Sequence, residues 1–267
     1  MKTEVYKIQV DGSQPEAKLC TYIQDSADIL MIKERPFILI CPGGGYTSVS
    51  IREGEPLAVR FLAMGYHVAV LRYSCTPAVY PAALLELASA VKLIHAHSEE
   101  WKVRTDKIFV LGCSAGGHLA ASLGVFWHEP WLAEKTGVKN EILKPAGMIL
   151  CYPAINMLEH WSQTILVGQD TEEMRERVSL EKQVTEHTPE AFIWHTYSDT
   201  VVPVENSLVL IAAMRKYQIP VEFHMYPQGV HGLAAADELT QHADGSKIQK
   251  ECSSWLGLVQ TWLRERT

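Results

Sequence analysis

Paired cysteines, a long apolar run and a basic excess are all missing from this chain of 267 residues. Its six cysteines (Cys20, Cys41, Cys75, Cys113, Cys151 and Cys252) form no Cys-x-x-Cys pair, which argues against a zinc ribbon or a dithiol redox centre. No apolar stretch reaches the length of a bilayer span. A net charge of −7 excludes the basic footprint of a nucleic-acid binder and gives no attraction to anionic membranes. The first residues, Met1-Lys2-Thr3-Glu4-Val5-Tyr6-Lys7, hold no apolar core of a signal peptide, so a cytoplasmic location is expected. Internal repeats, low-complexity tracts and interdomain linkers are also missing. What remains suits a single domain over 1–267 with a substantial core.

Apolar runs alternate with helical patterns along that domain. Strands are expected at Glu4–Val10, Ala17–Ile23, Pro36–Cys41, His67–Arg72, Lys107–Gly112, Gly147–Tyr152, Ala191–Tyr197 and Val221–Tyr226. Helices are expected at Glu55–Met64, Ala82–His97, Ala115–Val125, Val204–Tyr217 and Ile248–Arg264. From the third strand onward the order is mostly β, α, β, α, which predicts an α/β fold with a mainly parallel, twisted, eight-stranded sheet and helices on both faces. Phe37-Ile38-Leu39-Ile40 is apolar at consecutive positions, as strands buried on both faces are. The first two strands are more mixed and read as an antiparallel edge. Pro56 and the acids Glu53 and Glu55 mark a helix start, and both acids are taken to complement the helix dipole. The stretch 153–190 is polar and too long for a plain connection, so a small helical insertion over the C-terminal sheet edge is expected there. In it, Trp161 and Leu166 either wall a substrate pocket or belong to a solvated excursion that covers the core.

The stretch with the most chemistry in it is Gly112-Cys113-Ser114-Ala115-Gly116. It follows the β-branched run Lys107–Leu111 and precedes the helical run His118–Leu123. This is the strand–turn–helix setting of a nucleophile elbow, in which a sharp turn needs glycine on both sides of an exposed serine. A helix N-terminus beneath that serine favours an oxyanion. Cys113 precedes the serine and is expected to be a buried thiol, since the elbow aims Ser114 and not its neighbour at solvent.

A serine hydroxyl needs a base, the base needs an orienting acid, and an oxyanion needs donors. His231 is the base candidate, because it follows the last strand on a loop punctuated by Pro227, Gly229 and Gly232. His118, His195 and His224 lie within a helix or strands, and the first two are read as structural. Asp199 is the acid candidate, just past the strand Ala191–Tyr197. Asp237 and Glu238 follow His231 too closely to turn back. Donors are expected from Gly44 and Gly45, in Pro42-Gly43-Gly44-Gly45-Tyr46, together with Ala115. No Gly-x-x-x-x-Gly-Lys or Gly-x-Gly-x-x-Gly is present, so these glycines do not read as a phosphate cradle. Tyr46 beside them is a candidate substrate contact lining the acyl pocket.

Together, Pro42–Tyr46, Gly112-x-Ser114-Ala-Gly-Gly-His-Leu-Ala-Ala121, Asp199-x-Val-Val-Pro-Val-Glu-Asn-Ser207 and Gly229-x-His231-Gly-Leu233 resemble the α/β-hydrolase superfamily. Within it the chain is most similar to small bacterial carboxylesterases of the acetylxylan-esterase-like or feruloyl-esterase-like kind. The resemblance runs from about residue 35 to the C-terminus. Arg52-Glu53-Gly54-Glu55-Pro56 belongs to it as well. It implies hydrolysis of small acyl esters, acetyl esters of xylo-oligosaccharides or related sugars among them, with Ser114, Asp199 and His231 as nucleophile, acid and base. Pro42 stands where a hormone-sensitive-lipase-like branch carries histidine. One fold and one triad serve many esters and amides, so a serine peptidase or amidase stays open as an alternative. So does a non-catalytic hydrolase-like binding protein. No cofactor and no metal is expected. The expected partner is a small-molecule ester, with no nucleic acid, no membrane, and self-association left open.

Overall fold

The computed structural model describes residues 1–27, 29–157 and 171–267. Its eight strands are β1 (Lys2–Lys7), β2 (Lys18–Ile23), β3 (Arg35–Cys41), β4 (His67–Arg72), β5 (Val103–Cys113), β6 (Gly147–Cys151), β7 (Ala191–Thr196) and β8 (Val221–Tyr226). They form one sheet in the order β1-β2-β4-β3-β5-β6-β7-β8. The pairs β1/β2 and β2/β4 are antiparallel, and every later pair is parallel. The expected eight-stranded, mostly parallel α/β sheet with an antiparallel edge is therefore the fold of this chain.

The period-two alternation of a strand explains why the sheet is covered on both sides. Phe37, Leu39 and Cys41 of β3 enter one core, while Ile38 and Ile40 enter the other. Likewise Met148 and Leu150 of β6 oppose Ile149 and Cys151, and Ile193 of β7 opposes Phe192 and Trp194. The first core is closed by the helices Ala82–Ala96, Ala115–Phe126 and Glu205–Lys216. Helices Glu55–Ala63 and Trp255–Arg264 close the second, the latter through Trp255, Val259, Trp262 and Leu263. That spacing of i, i+4, i+7 and i+8 puts all four on one stripe. Each fully buried large apolar side chain contributes roughly 1.5–3 kcal/mol.

Most element boundaries fall within a residue or two of expectation. Strand β1 is shifted, since Ile8 and Val10 leave the ladder after pairing ends at Lys7 and Lys18. Strand β5 starts earlier, at Val103, because Arg35 pairs there before a register shift. The helix expected over Ile248–Arg264 runs as two pieces, Lys250–Ser253 and Trp255–Arg264. At the junction both the amide and the hydroxyl of Ser254 bond to the Glu251 carbonyl, which tightens the turn. Short helices at Ser98–Trp101, Pro130–Thr136 and Asn140–Leu143 were not expected. Within 153–190 the described residues hold a helix at Glu172–Val178, started by Thr171, whose hydroxyl accepts from the Met174 amide. Trp161 and Leu166 lie outside the described residues. No helix among those described is long and apolar enough to cross a membrane.

Parallel pairing fixes where the site can be. Register partners Cys41–Gly112, Cys113–Cys151, Cys151–Trp194 and Thr196–Tyr226 bring the C-terminal ends of β3, β5, β6, β7 and β8 to one sheet edge. The loops that leave them hold Gly44 and Gly45, Ser114, Asp199 and His231. Ligands of open α/β sheets bind at this edge.

His118 anchors the helix behind Ser114. It is fully buried, its Nε2–H donates to the Val178 carbonyl at 2.8 Å, and its Nδ1 accepts from the Tyr46 hydroxyl at 3.0 Å. Burial lowers its pKa from 6.5 to about 4, the Val178 carbonyl opposing that shift. The unfolded chain therefore binds this proton first on acidification. The stabilising difference is full above pH 6.5 and is lost as the pH falls towards 4, on the order of 3 kcal/mol in total. Denaturant unfolding at pH 7, 6, 5 and 4 should show a flatter loss of stability for His118→Gln than for the wild-type chain. Equal slopes would show that this imidazole is not held neutral.

Candidate active site

The elbow is shaped by two close approaches. A Cβ on Gly112 would lie 2.0 Å from the Gly116 carbonyl oxygen, and one on Gly116 would lie 2.0 Å from the Cys41 oxygen. Neither position admits a side chain. Ser114 between them sits at φ 55°, ψ −121°, a strained conformation for a residue with a Cβ. Its amide donates to the Cys151 carbonyl, and its own carbonyl accepts from the Ala154 and His118 amides. The strain is thus held by β6, by the chain just beyond it, and by the first turn of the helix.

His231 reaches Ser114 from the loop after β8. Its Nε2 lies 2.7 Å from Ser114 Oγ, and its Nδ1 lies 2.6 Å from Asp199 Oδ2. A carboxylate only accepts, so Nδ1 carries the proton and Nε2 faces the serine hydroxyl as an acceptor. Asp199 Oδ1 accepts from the Val201 and Val202 amides at 2.9 and 3.0 Å. Burial pushes the Asp199 carboxyl up, but the hydrogen bonds donated by His231 and the Val202 amide, with the His195 ring close behind, outweigh it. The carboxyl is held well below the usual range. His195 stands behind it, 3.5 Å away and fully buried. Its Nε2–H donates to the Val202 carbonyl and its Nδ1 accepts from the Ser207 hydroxyl. His195 and His118 are therefore both structural, as expected.

A cavity of about 370 Å³ opens over Ser114 and His231. Gly44, Gly45 and Ala115 line it. The amides of Gly44 and Gly45 bond to no protein acceptor among the described residues. The Ala115 amide opens a helix and has no intrahelical acceptor either. Such amides can receive a developing oxyanion. Cys113 is buried, and burial with its neighbour Cys151 raises its thiol far above the ordinary value, so it offers no thiolate.

Tyr46 departs from expectation. It is buried, its hydroxyl is bonded to His118, and its ring packs against Tyr73 at 5.7 Å. It lines a separate small pocket with Tyr80, Leu84 and Leu119 instead of the cavity over Ser114. The reason is its backbone: φ 57° turns the chain back after Gly45 and sends the ring under the sheet edge.

Glu53 departs from expectation in the opposite direction. Instead of an exposed dipole partner it is a buried carboxylate, 3% exposed, at the cavity wall. One oxygen accepts from the Gly43 amide at 2.8 Å and the other from the Tyr152 hydroxyl at 2.7 Å. That hydroxyl in turn accepts from the Ala234 amide at 2.9 Å, and the Tyr152 ring meets His231 edge-on at 5.2 Å. Glu53 thereby ties the glycine loop to the histidine loop. Its neighbour Arg52 adds to the tie, with bonds to the Gly232 and Thr240 carbonyls. The acid sits one residue before Gly54 in the Arg52–Pro56 stretch, and nothing in its local pattern distinguishes a buried brace from a helix-start acid.

Three comparisons bear on this site. A family model described as BD-FAE matches residues 30–214. Endo-1,4-beta-xylanase B of Butyrivibrio fibrisolvens is 34% identical over 218 residues, 77% of this chain and 33% of that protein. The chain thus spans about a third of that relative's length. Among solved structures, a carboxylesterase from Lactobacillus plantarum WCFS1 superposes with a TM-score of 0.83 at 28% identity, covering 100% of this chain and 98% of that one. An acetyl ester-xyloside bifunctional hydrolase from Caldicellulosiruptor lactoaceticus gives 0.79 at 32% identity, covering 93% and 88%.

The brace makes a prediction. In Glu53→Gln, the side-chain amide would meet the Gly43 donor or leave Tyr152 without its acceptor, an unsatisfied buried group worth roughly 1–3 kcal/mol. Turnover of p-nitrophenyl acetate should fall about tenfold or more with KM changed less than about twofold. Tyr152→Phe should behave alike, and the double variant should cost less than the sum of the two. Full additivity would show that the two residues do not act through one another.

Proposed function

From the premise that the chain belongs to the BD-FAE family of esterase-like α/β hydrolases, we propose that it is a serine carboxylesterase acting on small acyl esters. Acetyl esters of xylo-oligosaccharides are the substrate class favoured by its similarity to an acetyl ester-xyloside hydrolase and to a xylanase. The observation that carries the reading is the hydrogen-bonded run from Ser114 through His231 to Asp199, at 2.7 and 2.6 Å, facing a cavity with unpaired amides.

The chemistry follows from that geometry. His231 Nε2 takes the Ser114 proton as Oγ attacks the ester carbonyl. The carbonyl oxygen becomes an oxyanion and is received by the amides of Gly44, Gly45 and Ala115. The imidazolium is stabilised by Asp199, which stays ionised and holds Nδ1 protonated. His231 returns the proton to the departing alcohol, leaving an acyl group on Ser114. Water then enters and gives a proton to His231 as its oxygen bonds to the acyl carbon; the bond to Ser114 Oγ breaks, His231 returns the proton to Oγ, and the acid leaves. A cavity of about 370 Å³ accommodates a small ester or a short sugar ester.

A fluorophosphonate probe should label one site per chain and fail on Ser114→Ala. The wild-type protein should turn over p-nitrophenyl acetate and release acetate from acetylated xylo-oligosaccharides. Asp199→Asn should retain the fold and lose roughly 10⁴-fold in kcat, since the amide favours the wrong imidazole tautomer. Turnover of aminoacyl anilides without turnover of esters would replace the esterase reading with an amidase. Equal labelling of wild type and Ser114→Ala would remove the serine mechanism.

A further inference from the structure

The cavity carries positive charge that the triad does not use. Arg52 and Lys247 both line it, beside Ser114 and His231. Arg52 is committed, because Nε and one terminal nitrogen bond to the Thr240 carbonyl and the other terminal nitrogen to Gly232. Lys247 is not. Its ammonium has three donors, and the structure occupies one of them, on the carbonyl of His231. Neither cation sits in an ion pair among the described residues. The acid on the same wall, Glu53, already has both oxygens engaged by Gly43 and Tyr152.

The Lys247 ammonium also lies beside the residue that follows the imidazole. A Cβ placed on Gly232, the residue after the imidazole, would come no closer than 3.8 Å to Glu53 Oε1 and 4.0 Å to Lys247 Nζ. The departing alcohol must take its proton from His231 Nε2, so it leaves across the imidazole. The ammonium is bonded to the backbone of that same histidine. An ammonium held on the histidine side of the cavity thus lies on the side by which the alcohol part of an ester departs.

Building on the esterase reading above, we propose that Lys247 binds a carboxylate carried by the alcohol part of the substrate, which makes acyl esters of acidic sugars, those bearing a uronic acid, the preferred class. A charge-assisted hydrogen bond at a partly desolvated wall is strong enough to select a substrate. The chain as a whole carries a charge of −7 and repels anions at long range. Selection of an acid thus needs a local cation, and Lys247 supplies it beside the bond that breaks.

The test compares 4-acetoxybenzoate with its neutral analogue 4-acetoxybenzamide. The wild-type protein should favour the carboxylate in kcat/KM, and Lys247→Met should lose about tenfold on it while changing less than about twofold on the amide. Lys247→Arg should keep the preference. Raising salt should narrow it in the wild type and leave Lys247→Met unmoved. Acetylated xylo-oligosaccharides with and without a glucuronic acid branch should follow the same order. Equal losses on both small esters would mean that Lys247 only steadies the His231 loop, and a wild-type protein with no preference would also overturn the proposal. Wild-type protein that hydrolyses neither ester would instead remove the esterase reading, and this one with it.

Discussion

A buried carboxylate facing an imidazole is the constraint on which the rest of this molecule depends. Asp199 sits without solvent at the end of β7, a place where a charge is costly. It stays ionised because two amides and the His231 N–H all point donors at it. Those donors fix the imidazole of His231 in one tautomer and one orientation, with its free nitrogen on Ser114. Losing any of them leaves a charge or a polar group in the interior with no partner, so the loops that carry them cannot drift independently.

The surrounding fold reads as a set of devices for holding those loops in one place. The parallel ladder brings five strand ends to a common edge. The Gly229 carbonyl is tied to β7 and its following turn by the hydroxyls of Thr196 and Ser198. Arg52 and Glu53, from the turn after the glycine loop, reach across to the 231–240 segment. The glycine loop and the histidine loop are therefore linked through side chains of a third segment. That linkage holds the glycine-loop amides and the His231 imidazole at a fixed spacing.

The elbow, the number of strands and the antiparallel edge were legible because each rests on local rules. Consecutive apolar residues mark β3 and β5–β7, and glycines on both sides of Ser114 mark a turn that no side chain could enter. The placement of Asp199 and His231 was legible as well, since each follows a strand directly. Tyr46 and Glu53 were not. Tyr46 lies in a loop and Glu53 ends a single helical turn, Ile51–Glu53, and their local patterns do not say which way a side chain faces. Tyr46 turned under the sheet edge to meet His118, while Glu53 turned into the cavity wall to meet Gly43 and Tyr152.

The residue order alone determined the number of strands, the antiparallel edge and the candidate trio at 114, 199 and 231. These follow from periodicity and from turn chemistry, which act over a few residues. Tertiary structure alone decided which polar groups are buried and with whom. Glu53 meets Tyr152, 99 positions away, and Arg52 meets Thr240 across 188. Hydrogen bonds over such separations depend on how the whole sheet twists and packs, and no local pattern encodes them.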